Sequence, residues 1–336
     1  MSKPVVCVVG TGGTIASKYD AALGGHTSAA TAQDLAAAVP EVLDLADIRT
    51  VEHSNVNSAL MDTATAFGLG GTLRKVLSDE TVAGIVVTHG TATLEETAYL
   101  MDLTVATDKP IVITGAQRNF DEHDADGPRN LLYAVMVASS PEARGRGVLV
   151  ALGGEIHAAR DVTKVHTETL TCFAGRDGGP VGLVNKYGVT FLARPEHRIH
   201  LTVDSVEENV QLVRMGQGAN DLLLRACIRE RVGGIVVEAT AGGNVNAPFY
   251  DGIVAALEAQ IPVVIATRVS AGAPHLGKGY RGSFATLISK GAIGAGYLSG
   301  LKARILLMVA LGQTRDRTAL AGIFARAGGT DFRDSR

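Results

Sequence analysis

Short apolar runs recur along the chain, and turn-forming residues bound each of them. The runs that predict β-strands are Val5–Val9, Gly84–Thr88, Pro110–Thr114, Gly147–Leu152, Val210–Arg214, Gly234–Val237 and Pro262–Thr267. Apolar residues at helical spacing predict helices at Thr31–Val39, Thr63–Leu77, Leu94–Val105, Asn130–Ser139, Asp221–Arg229, Phe249–Ala259 and Gly300–Leu311. Apolar strands that alternate with helices are typical of a parallel sheet with both faces buried. The pattern therefore predicts an α/β protein.

The pattern weakens between about Lys186 and Glu208, where polar and charged residues and Pro195 interrupt the periodicity. Such a break is typical of a linker between domains. A second, shorter series of strands and helices follows it. We therefore predict a larger N-terminal parallel-sheet domain of flavodoxin- or Rossmann-like type over 1–190, a linker over 191–207 and a smaller C-terminal α/β domain over 208–336.

The composition excludes several classes of protein. Hydrophobic residues make up 46% of the 336 positions and charged residues 19%, which is too apolar for a disordered chain. No apolar run approaches the ~20 residues of a membrane-spanning helix. Basic and acidic residues number 31 and 34, so no positive surface for nucleic acid or anionic membrane is expected. A small molecule is the expected partner.

The cysteines and the N-terminus indicate the compartment. Cys7, Cys172 and Cys227 are widely spaced and form no CxxC pair, so we expect them to be reduced and buried. The chain enters a strand-like run directly after Pro4, without the long apolar region and cleavage site of a signal peptide. A cytoplasmic protein is predicted.

Glycines and hydroxyl side chains concentrate in the loops that follow the first predicted strands. These loops are Gly10–Ala16, Thr88–Thr97 and Gly115–Arg118. Ligands of open parallel sheets bind at the carboxyl ends of the strands, so these loops are the candidate site. A dinucleotide fingerprint is not matched, because Ile15 stands where its last glycine is required.

Thr14 and Thr91 each follow glycine in these loops. Glycine lets a loop present a hydroxyl at a strand end with backbone amides close to a ligand. The alternative is that each threonine only caps a helix. Thr93 is the better cap, because Glu96 lies three residues further on, as in a capping box. That interpretation leaves Thr91 available for another role.

The ordered motifs resemble the bacterial-type L-asparaginase/glutaminase family. Gly10–Ala16 is similar to that family's first signature, T-G-G-T-I-A, and Thr88–Ala98 is similar to its second, T-H-G-T-D-T-M-E-E-T-A. Further pieces in the same order are Leu103–Val105, Asp108–Pro110, Gly115–Arg118, Asp126–Leu131, Arg160–Lys164, Gly242–Asn244 and Lys302–Arg304. The resemblance is dense from Val5 to about Val165 and thinner beyond it.

This resemblance implies hydrolysis of an amide through a threonine nucleophile, without a cofactor or metal. Thr14 corresponds to the threonine that forms an acyl-enzyme and expels ammonia, and Thr91 and Lys164 correspond to the pair that activates the nucleophile or the hydrolytic water. A salt bridge of Lys164 with Asp161 or Glu168 is the alternative for that lysine. The substrate-binding positions that we assign are Ser58, Gly13, Gly90, Ala92, His26, Tyr19 and Asn244.

The resemblance also implies a homotetramer, a dimer of intimate dimers, in which a partner's smaller domain offers Asn244 to the site. No spaced cluster of histidines predicts a metal site. The acidic residues Asp121, Glu122, Asp124 and Asp126 are expected to form a solvated loop rather than to take part in catalysis.

Two departures from the family pattern bear on the substrate. The family has an aspartate directly after its second threonine, where this chain has Ala92. The family's flap tyrosine falls on His26, although Tyr19 could reach the same place from a shifted loop. No acidic residue in Ala271–Phe284 supplies a second counter-charge. We therefore expect a substrate with a carboxylate and an amide but no free α-amino group, or a substituted one. The alternative is a non-catalytic small-molecule-binding or regulatory homologue.

Overall fold

A computed structural model describes residues 3–22 and 24–332 of the chain. The chain divides after Glu196 into two compact units. This boundary lies inside the stretch 191–207, and residues 192–209 contain neither helix nor strand. Each unit has its own sheet and hydrophobic core.

The first unit is built from strands and from helices on both faces of its main sheet. Its strands are β1 (Val5–Gly10), β2 (Ser17–Asp20), β3 (Gly25–Ser28), β4 (Asp47–Glu52), β5 (Val82–Thr88), β6 (Ile111–Thr114), β7 (Val148–Leu152), β8 (Glu155–Ala158), β9 (Val162–Lys164), β10 (Phe173–Gly175), β11 (Gly182–Asn185) and β12 (Gly188–Phe191). Its helices are α1 (Ala32–Ala37), α2 (Val42–Leu45), α3 (Thr63–Leu77), α4 (Leu94–Thr104) and α5 (Gly127–Ser139).

The main sheet has eight strands in the order β12-β11-β8-β7-β6-β5-β1-β4. The five strands from β7 to β4 are parallel, as the apolar pattern predicts. The sheet is not parallel throughout, because β8, β11 and β12 add antiparallel strands at one edge. The turns that join β7 to β8 and β11 to β12 are too short for a helical crossover, so these two pairs can only be antiparallel. Two small hairpins, β2–β3 and β9–β10, lie outside this sheet.

Close packing of α5 on β5 depends on one glycine. Gly84 lies within β5, and a methyl group added there would overlap the backbone carbonyl oxygen of Ala138 in α5. Small residues on this helix, including Ala134, are completely buried against the sheet. The helix therefore approaches the strand closely at this point.

The second unit repeats the alternation of strands and helices on a smaller scale. Its strands are β13 (Val210–Arg214), β14 (Gly234–Ala239), β15 (Val263–Thr267) and β16 (Ile293–Gly294). Its helices are α6 (Leu222–Arg229), α7 (Ala247–Glu258), α8 (Phe284–Ser289), α9 (Gly300–Leu311) and α10 (Arg317–Gly328). The strands form a parallel sheet in chain order. The predicted helix Gly300–Leu311 forms with those bounds, and most of its residues are buried.

All three cysteines are free thiols in buried positions, as predicted from their spacing. Burial raises the pKa of each thiol, because an apolar environment disfavours the thiolate. None of the described helices is both long and apolar enough to span a membrane.

Candidate active site

Four neighbouring parallel strands deliver loops to one edge of the main sheet. Thr14 follows β1, Ser58 follows β4, Thr91 follows β5 and Gln117 follows β6. Because the strands are adjacent and parallel, their carboxyl ends lie side by side. Thr14, Ser58 and Thr91, all predicted site residues, therefore come from separate segments that the sheet brings together.

The first and second loops contact each other through glycine. Gly13 has φ +88°, a backbone conformation that L side chains rarely adopt. A methyl group added at Gly13 would overlap the Cα and N atoms of Gly90, and one added at Gly90 would overlap the Ser58 hydroxyl. Three loops therefore meet without intervening side chains, and only glycine fits at the two central positions.

Thr14 begins a short 3-10 turn, Thr14–Ala16, and is half-buried. The Gly13 N–H donates to Ser28 Oγ at 2.7 Å, and the Gly13 carbonyl accepts from Ser17 Oγ at 2.9 Å. These bonds hold the backbone in front of the threonine. No hydrogen bond joins the Thr14 hydroxyl to any residue that the structure describes. The predicted nucleophile is thus held by its backbone, and its hydroxyl is available to a ligand.

Thr91 and Lys164 lie in direct contact. Lys164, at the end of β9, donates from Nζ to Thr91 Oγ1 at 2.8 Å and to Gln117 Oε1 at 3.1 Å. The Thr91 hydroxyl donates to the same Gln117 oxygen at 2.9 Å. The predicted pair is therefore part of a closed three-residue network. A salt bridge of Lys164 with Asp161 or Glu168 is absent from the described residues, and Asp161 pairs with Arg160 instead.

Gln117 was not predicted as a site residue, although it lies in one of the quoted motifs. Its backbone N–H donates to the Asp126 carboxylate at 3.1 Å, and its Nε2 donates to the Thr167 carbonyl at 3.0 Å. Asp126 also accepts from the Arg118 N–H at 2.9 Å and from Asn130 Nδ2 at 3.0 Å. From the sequence we expect Asp126 to belong to a solvated acidic loop. In the structure its carboxylate also organises the turn that carries Gln117.

Ser58 lies at the floor of this cluster and is only 2% exposed. Its Oγ accepts a hydrogen bond from the Ala92 N–H at 3.2 Å, and its carbonyl accepts one from Thr93 Oγ1 at 2.9 Å. The prediction that Thr93 caps α4 with its side chain is wrong. Thr93 occupies the N-cap position, but its backbone (φ −124°, ψ 15°) is not in the extended conformation typical of a side-chain cap, and its hydroxyl donates to the Ser58 carbonyl instead. The Ala92 side chain is exposed.

Tyr19 and His26 lie opposite each other on the β2–β3 hairpin. Their rings contact edge-to-face, with centroids 5.5 Å apart, so both side chains are on one face of the hairpin. Asp121 holds this hairpin by accepting from the Tyr19 N–H at 2.8 Å and by lying 3.4 Å from His26 Nε2. The hydrogen bond from Tyr19 lowers the pKa of Asp121. The hairpin register therefore keeps both candidates for the flap position together.

Asn244 belongs to the second unit, in the turn after β14. Its backbone N–H donates to the Thr240 carbonyl at 2.9 Å, and its Oδ1 accepts from the Phe284 N–H at 3.3 Å. These bonds fix the turn and leave the side-chain N–H groups of Asn244 to donate elsewhere.

A buried histidine adjoins the second loop. His89 is completely buried, and its Nδ1 lies 2.8 Å from the Gly90 carbonyl oxygen. A carbonyl only accepts, so Nδ1 carries a proton, and complete burial favours the neutral ring. Burial lowers the pKa of His89 to about 4. Among the described residues, no group of three or more His, Cys, Asp or Glu side chains is arranged to hold a metal ion.

Comparison with known families matches both units. Residues 5–197 match the N-terminal asparaginase domain, and residues 209–324 match the glutaminase/asparaginase C-terminal domain.

Individual relatives match over nearly the whole chain. A probable L-asparaginase of Deinococcus radiodurans is 35% identical over 97% of this chain and 98% of its own. L-asparaginase 2 of Escherichia coli is 32% identical over 96% of this chain and 93% of its own. The crystal structure of a probable cytoplasmic L-asparaginase from Campylobacter jejuni superposes with a TM-score of 0.85 at 31% identity, over 96% of this chain and 99% of that one. The chain therefore belongs to the asparaginase family of amidohydrolases.

Proposed function

We propose that this protein hydrolyses a small amide to a carboxylate and ammonia through an acyl-enzyme on Thr14. The Thr14 oxygen attacks the amide carbon, the carbon–nitrogen bond breaks, and the nitrogen leaves as ammonia with the proton that the hydroxyl releases. Water then cleaves the ester and restores the threonine. A hydroxyl is a poor nucleophile at neutral pH, so a base must accept its proton. Lys164 and Thr91 are proposed to serve the nucleophile or the hydrolytic water.

The contacts of Lys164 support an anionic substrate. Within the described residues, the lysine is held by two neutral oxygens, from Thr91 and Gln117, and by no carboxylate. In its protonated form this amine, which lacks a counter-charge, attracts an anion and repels a second cation, and only in its neutral form does it act as a base. Ser58 adds a hydroxyl whose oxygen already accepts from Ala92, so its own proton can go to a carboxylate. This arrangement is the observation that carries the proposed substrate class.

We infer that the substrate has a carboxylate and an amide but no free α-amino group, or a substituted one. Ala92 cannot pair with an ammonium, and loss of a charge-assisted hydrogen bond costs about 1.5–3 kcal/mol, or roughly 10- to 150-fold in rate. Ammonia release should be compared for asparagine and succinamic acid, which differ only in the amino group. We expect a larger kcat/KM for succinamic acid. A much larger value for asparagine would overturn the inferred substrate class.

The substitution Ala92→Asp tests the same point from the protein side. The new carboxylate should raise kcat/KM for asparagine relative to succinamic acid by roughly 10-fold or more. Ala38→Asp is the matched control, because it adds the same charge at an exposed residue beyond the end of α1. An equal change of the ratio in both variants would show that the effect is not local to residue 92.

Covalent catalysis is tested by mass spectrometry. Rapid quenching with a panel of amides should give an acyl adduct on Thr14 that is absent from Thr14→Val. A non-catalytic binding protein would need neither an available threonine hydroxyl nor a lysine beside a second threonine. The absence of both adduct and ammonia with every amide would establish that alternative and overturn the proposed hydrolysis.

We propose further that the protein is a cytoplasmic homotetramer, a dimer of intimate dimers, in which a partner's Asn244 completes each site. Light scattering gives the number of subunits, and cell fractionation gives the compartment. Thr14→Val and Asn244→Ala should each lose activity. In a shared site, Thr14 and Asn244 come from different subunits, so a dimer with one copy of each variant has one intact site. When the two variants are mixed in equal amounts and reassembled, about a quarter of the wild-type sites should therefore be recovered. No recovery in mixed oligomers would refute a shared site.

A further inference from the structure

Gln117 is bound at three points from three different segments. Its backbone N–H is held by Asp126 at the start of α5, and its side-chain Nε2 is held by the Thr167 carbonyl in the β9–β10 loop. A carboxamide is planar and carries its acceptor oxygen and its donor nitrogen on two separate arms. With Nε2 engaged by Thr167, the oxygen Oε1 is directed towards Thr91 and Lys164.

This oxygen is shared by the two residues that are proposed to move protons. It accepts from Thr91 Oγ1 at 2.9 Å and from Lys164 Nζ at 3.1 Å, while the lysine donates to Thr91 at 2.8 Å. The three atoms form a closed triangle in which one rotation of Lys164 would break two bonds. Within the described residues, no carboxylate is within ion-pair distance of this lysine. The neutral oxygen of Gln117 therefore accepts from Lys164 where a carboxylate commonly accepts from a lysine.

We propose that Gln117 is a positioning residue that holds Lys164 against Thr91 through a neutral oxygen. It does so without fixing the lysine in its charged form as strongly as a carboxylate would. This inference rests on the proposed function, because Thr91 and Lys164, which Gln117 positions, are the proposed catalytic pair. It goes beyond that function by assigning a role to a residue outside the pair.

Two substitutions separate positioning from simple support of the loop. Gln117→Met keeps the length of the side chain and removes both its acceptor and its donor. Gln117→Glu keeps the acceptor oxygens but loses the Nε2 donor to Thr167. Gln33→Met is the matched control, because Gln33 is exposed on α1. All variants should be compared with the wild type by circular dichroism to verify that they fold.

For the positioning role we expect Gln117→Met to lower kcat roughly 10- to 100-fold with little change in KM, because a hydrogen-bond acceptor of a charged group is lost. Gln117→Glu should retain much more of kcat and should move the pH–rate profile to higher pH, because a carboxylate favours the charged amine. If Gln117 only supported the loop, both variants would lose the Thr167 bond and would be impaired equally. Equal loss of kcat with an unmoved pH profile would overturn the proposal.

A second measurement does not need activity. Trace acetylation with acetic anhydride, read by peptide mass spectrometry, reports how readily Lys164 reacts relative to the exposed Lys75 on α3. Relative labelling should rise several-fold in Gln117→Met and fall in Gln117→Glu. Unchanged labelling in both variants would overturn the positioning role even in an active enzyme. If the wild type hydrolyses no amide, the proposed function fails while labelling still decides the role of Gln117.

Discussion

The buried neutral ring of His89 predicts a specific loss of stability in acid. Its Nδ1 proton goes to the Gly90 carbonyl, so a second proton would have to enter at Nε2, which has no hydrogen-bond partner among the described residues. The pKa of His89 is about 4 in the folded protein, against 6.5 for an ordinary histidine. As pH falls below 6.5, this histidine binds a proton in the unfolded chain, whereas in the folded protein it stays neutral until the pH approaches 4. Stability contributed by neutral His89 is therefore complete above about pH 6.5 and is lost as pH falls towards 4.

The size of this loss follows from the two values. They differ by 2.5 pH units, and each unit corresponds to about 1.4 kcal/mol, which gives between about 3 and 4 kcal/mol when the loss is complete, below pH 4. More than half of it, about 2 kcal/mol, should already be lost at pH 5. This is a large fraction of the 5–15 kcal/mol typical of folded proteins.

Urea unfolding of wild type and His89→Asn between pH 7.5 and pH 5 measures the effect. Asparagine places an N–H near the position of Nδ1 and does not titrate, so the variant carries a constant offset and lacks the acid-dependent part. We expect the free energy of unfolding of wild type, relative to the variant, to fall by about 2 kcal/mol over this interval. His123→Asn, with a side chain 96% exposed, should show no such change. A constant difference between wild type and His89→Asn would refute the reasoning.

Three further substitutions test the packing around the site by urea unfolding. Gly13→Ala should destabilise the protein by more than about 2 kcal/mol, because φ is +88° and the methyl group meets Gly90 backbone. Gly71→Ala, in an exposed part of α3 with open space around it, should instead stabilise by about 0.5–1 kcal/mol. Thr93→Val should cost about 1 kcal/mol by removing the bond to the Ser58 carbonyl, and Thr93→Ser should cost less. An unaffected Gly13→Ala, a destabilised Gly71→Ala or equal effects at Thr93 would contradict these assignments.

The fold was predictable where burial on both faces makes the sequence continuously apolar. Strands β1, β5, β6 and β7 appear in the pattern for that reason. Strand β4 does not, because it lies at the sheet edge and its residues Asp47–Glu52 are mostly exposed. An edge strand needs no apolar run, so hydrophobic periodicity does not detect it.

The candidate site was predictable to the extent that topology decides it. Loops after adjacent parallel strands must converge, which brings Thr14, Ser58 and Thr91 to one edge. Individual hydrogen bonds depend on atoms from distant segments. Gln117 acquires its role only because the loop containing Thr167 passes beside it. Thr93 lacks its expected capping bond because its backbone is not extended at the N-cap position, and this local conformation is not visible in the sequence.

The glycine contact between the first two loops also sets the order in which the site can assemble. Thr11 donates to the Thr88 carbonyl at 2.9 Å across 77 positions of sequence, and β1 pairs with β5 up to Gly10 opposite Thr88. Gly13 and Gly90 can meet only after that distant pairing has formed, which is a slow kind of folding event. Recovery of activity during refolding should therefore accompany the pairing of the central strands, and a shorter chain that ends before β5 carries no part-formed site.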